Sequence, residues 1–391
     1  MTNIKTETVK GFKDYLGEDA FLRSEIKKIL QEQFEIYGFE PCETPIIEKE
    51  DFVKSGNSQD EAISDIFKLQ DKGKRKLALR YEFTFQLKRI FKNKKLPYKR
   101  YQIGEVFRDE PISTNRFRQF TQCDADIIGS STRDEAEILA LTSCILNKLG
   151  IKFTILINNR KLLNEILDSQ GIKEKDKKAV IREIDKLDKL SESEVKKNLK
   201  KYKAEKILAL LKKPESYFNK FESYAEIDEL KKYCNLYGIK VKFSPSLARG
   251  LSYYTGSVFE VKSSIKETIA AGGSYLINNF SSTGISFGLE RLCSLSNIEI
   301  NKKRILIISI GKNKESIKLA EKLRKQLKEF SVEIWTDKGI SKALDYANSK
   351  SIEKVIFLGE KEAKKKKVKL RDMKTGKEKM VGEKEIIKSF S

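Results

Sequence analysis

The chain has 391 residues, of which 39% are hydrophobic and 35% charged, with 79 Lys/Arg against 57 Asp/Glu and no histidine. The length suits two or three domains, and the net charge of +22 points to a polyanionic partner such as nucleic acid. The missing imidazole excludes Ser-His-Asp and Cys-His relays and any His-ligated zinc, so a general base must be a carboxylate, Lys, Tyr or the substrate itself.

The basic excess is localised. Residues 302–391 hold 26 Lys/Arg and 13 Asp/Glu, residues 151–235 hold 21 and 15, and the remainder carries only +3. A uniform Lys bias would spread more evenly, so a near-neutral body with polyanion-binding appendages is expected. The five cysteines, Cys42, Cys123, Cys144, Cys234 and Cys293, form no C-x-x-C. They read as reduced, small apolar residues in a cytoplasmic protein, and no metal site is expected. No apolar run approaches the roughly 20 residues of a membrane span, so no membrane association is expected.

In chain order, residues 20–37 place Leu22, Ile26, Ile29, Leu30 and Phe34 at helical spacing, with Gly38 as a stop. An extended stretch follows over 39–47. The pattern predicts a short strand running into a helix over 77–91, then two strands, 99–108 and 117–128, joined by a polar loop. An amphipathic helix over 133–149 ends at Gly150. From 160 to 235 the chain is rich in Lys, Glu and Leu and helical in period. Strand-like sequence returns at 240–243, 258–261 and 285–287. After Asn301, strands at 304–310, 332–335, 354–358 and 367–372 alternate with helices at 314–330 and 341–349, the pattern of a small parallel or mixed α/β domain.

The strand pair is the most informative region. Period 2 puts Arg118, Phe120, Gln122, Asp124 and Asp126 on one face. A face bearing Arg, an aromatic, an amide and two carboxylates is either a solvated surface or a ligand platform. In the second case the aromatic stacks on a flat ring, Arg holds phosphate and the carboxylates accept from amines. Arg108 and Arg116 flank the intervening loop, and their planar forks suit phosphate. Neither G-x-x-x-x-G-K-[ST] nor G-x-G-x-x-G occurs, so a nucleotide would be held by arginines on an antiparallel sheet. Leu247-Ala-Arg-Gly-Leu-Ser-Tyr-Tyr-Thr-Gly reads as a tight loop. Ala271-Gly-Gly-Ser-Tyr reads as a glycine loop offering bare backbone. Gly284-Ile-Ser-Phe-Gly-Leu-Glu-Arg-Leu reads as a strand entering a helix that carries Arg291.

Taken together these segments resemble class II aminoacyl-tRNA synthetases, specifically the histidyl-tRNA synthetase family. Gly38-Phe-Glu-Pro-Cys-Glu-Thr-Pro resembles motif 1. Phe107-Arg-Asp-Glu and Arg116-Phe-Arg-Gln-Phe resemble motif 2, and Gly288-Leu-Glu-Arg resembles motif 3. Arg249-Gly-Leu-Ser-Tyr-Tyr resembles the family's R-G-L-D-Y-Y, and Leu79-Arg-Tyr-Glu-Phe-Thr its L-R-P-E-x-T. The stretch Gln119-Phe-Thr-Gln-Cys-Asp-Ala-Asp is similar to a divergent, α-proteobacterial-type branch.

The resemblance implies an α/β (α+β) protein: an antiparallel class II catalytic sheet flanked by helices (1–150 and 236–301), an inserted helical domain (151–235) and a C-terminal α/β anticodon-binding domain (302–391). It implies activation of L-histidine with ATP and Mg2+, transfer to the 3′ end of tRNA(His), and a homodimer. ATP would meet Arg108, Glu110, Arg116, Phe120 and Arg291. Histidine would meet Glu82, Thr84, Gln122, Asp126, Arg249, Tyr253, Tyr254 and Tyr275. Arg108 and Arg249 would carry catalysis electrostatically, which needs no enzymic histidine. The chain departs from the family pattern at Tyr81, Ser252, Ser274, Leu276 and the loop 110–116. The alternative is a regulatory paralogue of the family that senses histidine for ATP phosphoribosyltransferase and charges no tRNA. Such paralogues lack the anticodon-binding domain.

Overall fold

The computed structural model describes residues 6–55, 63–113, 116–248, 253–265, 267–300, 303–336, 339–382 and 385–390. The chain divides into two units, Met1–Ile298 and Glu299–Ser391. The first unit begins with helix α1 (Gly17–Ile36), strands β1 (Glu40–Pro41) and β2 (Ile47–Lys49), helix α2 (Glu50–Ser55), strands β3 (Lys68–Gln70) and β4 (Lys76–Leu79), and helix α3 (Thr84–Ile90). Then come β5 (Tyr98–Phe107), β6 (Gln119–Ile128), α4 (Thr132–Lys148) and β7 (Thr154–Asn159). Helices α5 (Arg160–Ser169), α6 (Glu174–Asp185), α7 (Glu192–Leu199), α8 (Ile207–Leu210) and α9 (Tyr224–Leu236) precede β8 (Val241–Phe243). The unit ends with β9 (Tyr254–Lys262), β10 (Ala270–Ile277), β11 (Phe280–Gly288) and α10 (Leu289–Leu295).

The main sheet has the order β1-β5-β6-β11-β10-β9-β7-β8. Its interior pairings are antiparallel, and only the two edge pairs, β1–β5 and β7–β8, are parallel. The alternation along β6 divides the sheet's faces. Cys123, Ala125 and Ile127 are fully buried in the hydrophobic core with Ile26, Leu30 and Phe34 of α1. The Phe34 ring lies 5.2 Å from that of Tyr101. The opposite face carries the polar set. Helix α4 starts where the Asp134 carboxylate accepts from the Ser131 backbone N–H at 2.8 Å and from its hydroxyl at 2.7 Å, and it stops at Gly150, whose φ of +67° favours glycine.

Two expectations change. The 271–275 segment is the central strand β10, not a loop. A Cβ on Gly272 would stand 1.9 Å from the Gly284 carbonyl oxygen, so its glycine serves close approach of two backbones. Residues 151–159, grouped by sequence with the helical insertion, include β7 of the main sheet, and the apolar residues of α5–α9 join the same core as the sheet.

The second unit alternates β12 (Lys303–Ser309), α11 (Asn313–Gln326), β13 (Phe330–Trp335), α12 (Ile340–Ser349), β14 (Lys354–Leu358), α13 (Glu360–Lys364), β15 (Lys367–Asp372) and β16 (Glu378–Gly382). The sheet is mixed, in the order β13-β12-β14-β15-β16, with β12 parallel to both of its neighbours and β15 antiparallel to both of its own.

Candidate active site

The polar face of the main sheet floors a cavity of about 270 Å³. Ten of the thirteen site residues expected from sequence line it: Glu82, Thr84, Arg108, Glu110, Arg116, Phe120, Gln122, Tyr253, Tyr254 and Arg291. They come from segments far apart in sequence: the start of α3, the β5–β6 pair and its loop, the start of β9, and α10.

One end of the cavity is cationic. Arg108, at the end of β5, donates from Nε to the Tyr81 carbonyl at 3.1 Å and from Nη2 to the Gln122 side-chain oxygen at 3.4 Å. Its guanidinium lies 5.1 Å from the centre of the Phe120 ring. Arg116 pairs with Glu110 at 3.2 Å, and the Arg291 Nη1 donates to the Thr268 carbonyl at 2.6 Å. The helix carrying Arg291 is tied down from outside: Glu290 accepts from Arg23 at 3.0 Å and from the Thr121 backbone N–H at 3.1 Å. Three guanidiniums around an aromatic face can bind a flat base with a polyphosphate.

The other end is acidic and buried. Register places Arg100 opposite Asp126, and Gln102 and Ser286 on either side of Asp124. Arg100 is fully buried, and its Nη2 lies 2.7 Å from Asp126 Oδ2. The Tyr275 hydroxyl donates to Asp126 Oδ1. Gly284 clears the space for that carboxyl, since a Cβ there would meet Asp126 Oδ1 at 2.1 Å. Burial raises both carboxyls; Arg100 and the Tyr275 hydroxyl pull Asp126 back. Asp124 is pushed up to about 7, by burial first and by the charge of Asp126 second. Burial likewise pushes the Tyr253 and Tyr275 hydroxyls well up, which keeps them protonated donors.

The family model described as histidyl-tRNA synthetase matches residues 11–292, and that of an anticodon binding domain matches residues 304–391. The chain belongs to the histidyl-tRNA synthetase family. It is 37% identical to histidine–tRNA ligase 1 of Bacillus cereus, over 96% of this chain and 97% of that one. It is 36% identical to the histidine–tRNA ligase of Wolinella succinogenes, over 96% of each chain. A crystal structure of histidyl-tRNA synthetase from a Nostoc species superposes with a TM-score of 0.84 at 25% identity, covering 99% of both chains. A Bacillus halodurans structure described as an ATP phosphoribosyltransferase regulatory subunit/histidyl-tRNA synthetase shares the fold at 22% identity and a TM-score of 0.77.

Within this synthetase-family fold, three expected site residues stand apart. Asp126 and Tyr275 are not on the cavity wall; they lie beneath it, joined to each other and to Arg100. Arg249 lies outside the described residues. Asp124, which strand alternation had put on the candidate ligand platform, is on the wall; sequence reasoning missed Ser286, Thr268 and Glu290 there, and Arg100 below it. The period-2 alternation selected Phe120, Gln122 and Asp124 together. Nothing in sequence marked Arg100, whose role depends on cross-strand register.

Proposed function

We propose that the chain activates L-histidine with ATP, releasing pyrophosphate, and then esterifies the terminal ribose of tRNA(His) with the histidyl group. The observation that carries this reading is one cavity with an arginine-lined end and a carboxyl-floored end, in a chain whose residues 11–292 and 304–391 match synthetase and anticodon-binding families. Arg108 and Arg291 would grip the α- and outer phosphates, Arg116 the terminal one, and Phe120 would stack on adenine. Glu82 and Thr84 would hold the α-amino group, and Gln122, Tyr253 and Tyr254 would surround the ring, with Asp126 and Tyr275 beneath. The histidine carboxylate attacks the α-phosphorus, and Arg108 and Arg249 would stabilise the charge that builds there.

Magnesium would arrive with the nucleotide. No cluster of three or more Asp, Glu or Cys able to hold a metal occurs among the described residues. Glu110 and Glu290 are the wall carboxylates that could complete its shell, and the ion would neutralise the leaving pyrophosphate.

The +13 unit after residue 301 would bind the anticodon stem, α5–α9 would reach the acceptor arm, and motif 1 would build a homodimer. Five unpaired cysteines fit a cytoplasmic setting, and no helix of the described residues is long and apolar enough to cross a membrane. The regulatory alternative is disfavoured because residues 304–391 match an anticodon binding domain. Histidine-dependent ATP–pyrophosphate exchange followed by charging of tRNA(His) tests the reading. Exchange without charging supports the regulatory role, and no exchange at any histidine concentration refutes the enzyme. Arg249→Ala should cut the exchange rate far more than it weakens histidine binding.

A further inference from the structure

Helix α1 and strand β6 share a seam of the first unit's core. Ile26, Leu30 and Phe34 of α1 join one buried cluster with Cys123, Ala125 and Ile127, the alternate residues on one face of β6. Continued one step, the same two rows reach Arg23, three residues before Ile26, and Thr121, two before Cys123. There the seam turns polar. Arg23 Nη2 donates to the hydroxyl of the fully buried Thr121 at 2.8 Å, and Nη1 donates to Glu290 Oε1 at 3.0 Å. Glu290 Oε1 also accepts from the Thr121 backbone N–H at 3.1 Å, which closes the three residues into a ring of bonds. The Tyr15 ring lies over the guanidinium, its centre 3.7 Å from Arg23 Cζ. The Arg23 and Glu290 side chains are each 11% exposed, so salt screens the pair little.

Each residue that Arg23 grips is one position from a group at the cationic end of the cavity. Thr121 follows Phe120, whose side chain leaves the opposite face of β6. Glu290 precedes Arg291, whose Nη1 donates to the Thr268 carbonyl at 2.6 Å. We infer that Arg23 is a positioning residue for the nucleotide: its planar fork sets the spacing between the strand that carries Phe120 and the helix that carries Arg291, so that base stacking and phosphate binding are satisfied together. The inference rests on the ATP-binding reading given above. A misplacement of about 1 Å caused far from the reacting atoms can cost about a hundredfold. Helix α10, which carries Arg291, has only seven residues, so its placement depends on what grips it.

Arg23 is not on the wall of the main cavity. It lines a second cavity, of about 220 Å³, and Phe117 and Glu290 line both. The clamp can therefore be removed and replaced without a contact of its own to the nucleotide. Shortening Arg23 to Ala opens the space of its fork to the second cavity, from which a free guanidinium ion can reach Glu290 and Thr121.

The test uses the full chain in ATP–pyrophosphate exchange. Arg23→Ala should raise the ATP KM about tenfold and leave the histidine KM within about twofold. Thr121→Val, which keeps the backbone N–H and the side-chain shape but loses the hydroxyl, should raise the ATP KM by a smaller factor. Guanidinium chloride at about 10 mM, far below denaturing concentrations, should return the ATP KM of Arg23→Ala toward the wild-type value, and the same concentration of potassium chloride should not. A clamp that serves the fold alone would lower the urea midpoint of Arg23→Ala and move neither KM. A folded Arg23→Ala with an ATP KM within about twofold of wild type overturns the inference, as does an equal rise in both KM values. Recovery of stability by guanidinium without recovery of the ATP KM also overturns it. If Arg23→Ala does not fold, an unchanged ATP KM in Thr121→Val overturns it instead. A wild type that catalyses no histidine-dependent exchange refutes the functional reading itself, a result distinct from all of these.

Discussion

The two ends of the cavity manage charge in opposite ways. At the cationic end the arginines are half-buried or exposed: the Arg116 side chain is 45% exposed and pairs with wall residue Glu110. At the acidic end Arg100 is fully buried beneath two carboxyls. Exposed guanidiniums cost little to keep ready and gain when phosphate arrives. A buried one is tolerated only while its partner is present, because an uncompensated charge in a low-dielectric interior is costly. The cationic end is thus suited to recruiting an anion, and the acidic end to serving as a buried scaffold.

The strongest way to break this contrast is Arg100→Met. It leaves Asp126 buried without its cation and should cost about 3–5 kcal/mol in urea unfolding at pH 7.5. Adding Asp126→Asn should recover part of that loss, since removing both partners is far cheaper than removing one. A loss below about 1 kcal/mol for the single variant, against that expected range, would mean that the pair is not the scaffold described.

Arg108→Ala tests the recruiting end. Stability should change little, whereas the exchange rate at saturating histidine should fall by about two to three orders of magnitude, the usual loss when a donor aimed at developing charge is removed. Lys should restore little of it, because the fork spans the Tyr81 carbonyl and Gln122 at once. A smaller effect is expected from Phe120→Ala. Stacking of a base on an aromatic is worth roughly 1–3 kcal/mol, so the ATP KM should rise about tenfold while the histidine KM stays within about twofold. A parallel rise in both would place Phe120 in the shared framework and not under adenine.

The same contrast explains what could be read from sequence. Arg108, Phe120 and Arg291 sit inside contiguous motifs, so resemblance and strand alternation reach them directly. Arg100 and Asp126 are joined only by the register of β5 on β6, which depends on the turn between the strands and on every other pair along them. Strand β10 was hidden for a related reason. Gly272 and Gly273 carry the composition of a turn, yet they sit mid-sheet because neighbouring backbones leave no room for side chains. Strand β7 lies against the start of a long helical run and is covered by α5 and α9 chains of similar composition, so its alternation is short and easily absorbed into its surroundings.

The pH dependence of stability sharpens the comparison further. Burial and the charge of Asp126 push the folded Asp124 carboxyl up from an ordinary 3.8 to about 7. Between those values the folded state holds a proton that the unfolded chain has released, so folding takes up a proton and stability falls as pH rises through the window. The loss is at most about 1.4 kcal/mol per pH unit, and it ends once the folded carboxyl has ionised. Carboxyls held low, such as Asp134 under its Ser131 hydrogen bonds, contribute with the opposite sign at lower pH, so the wild-type curve alone mixes the two. The difference between wild type and Asp124→Asn isolates the one group. The Asn side chain cannot ionise, so the variant should match wild type near pH 4 and become progressively more stable than it up to about pH 7. Above that the difference should stay constant. Urea midpoints across pH 4–8 measure it, and parallel curves would remove Asp124 from the buried floor.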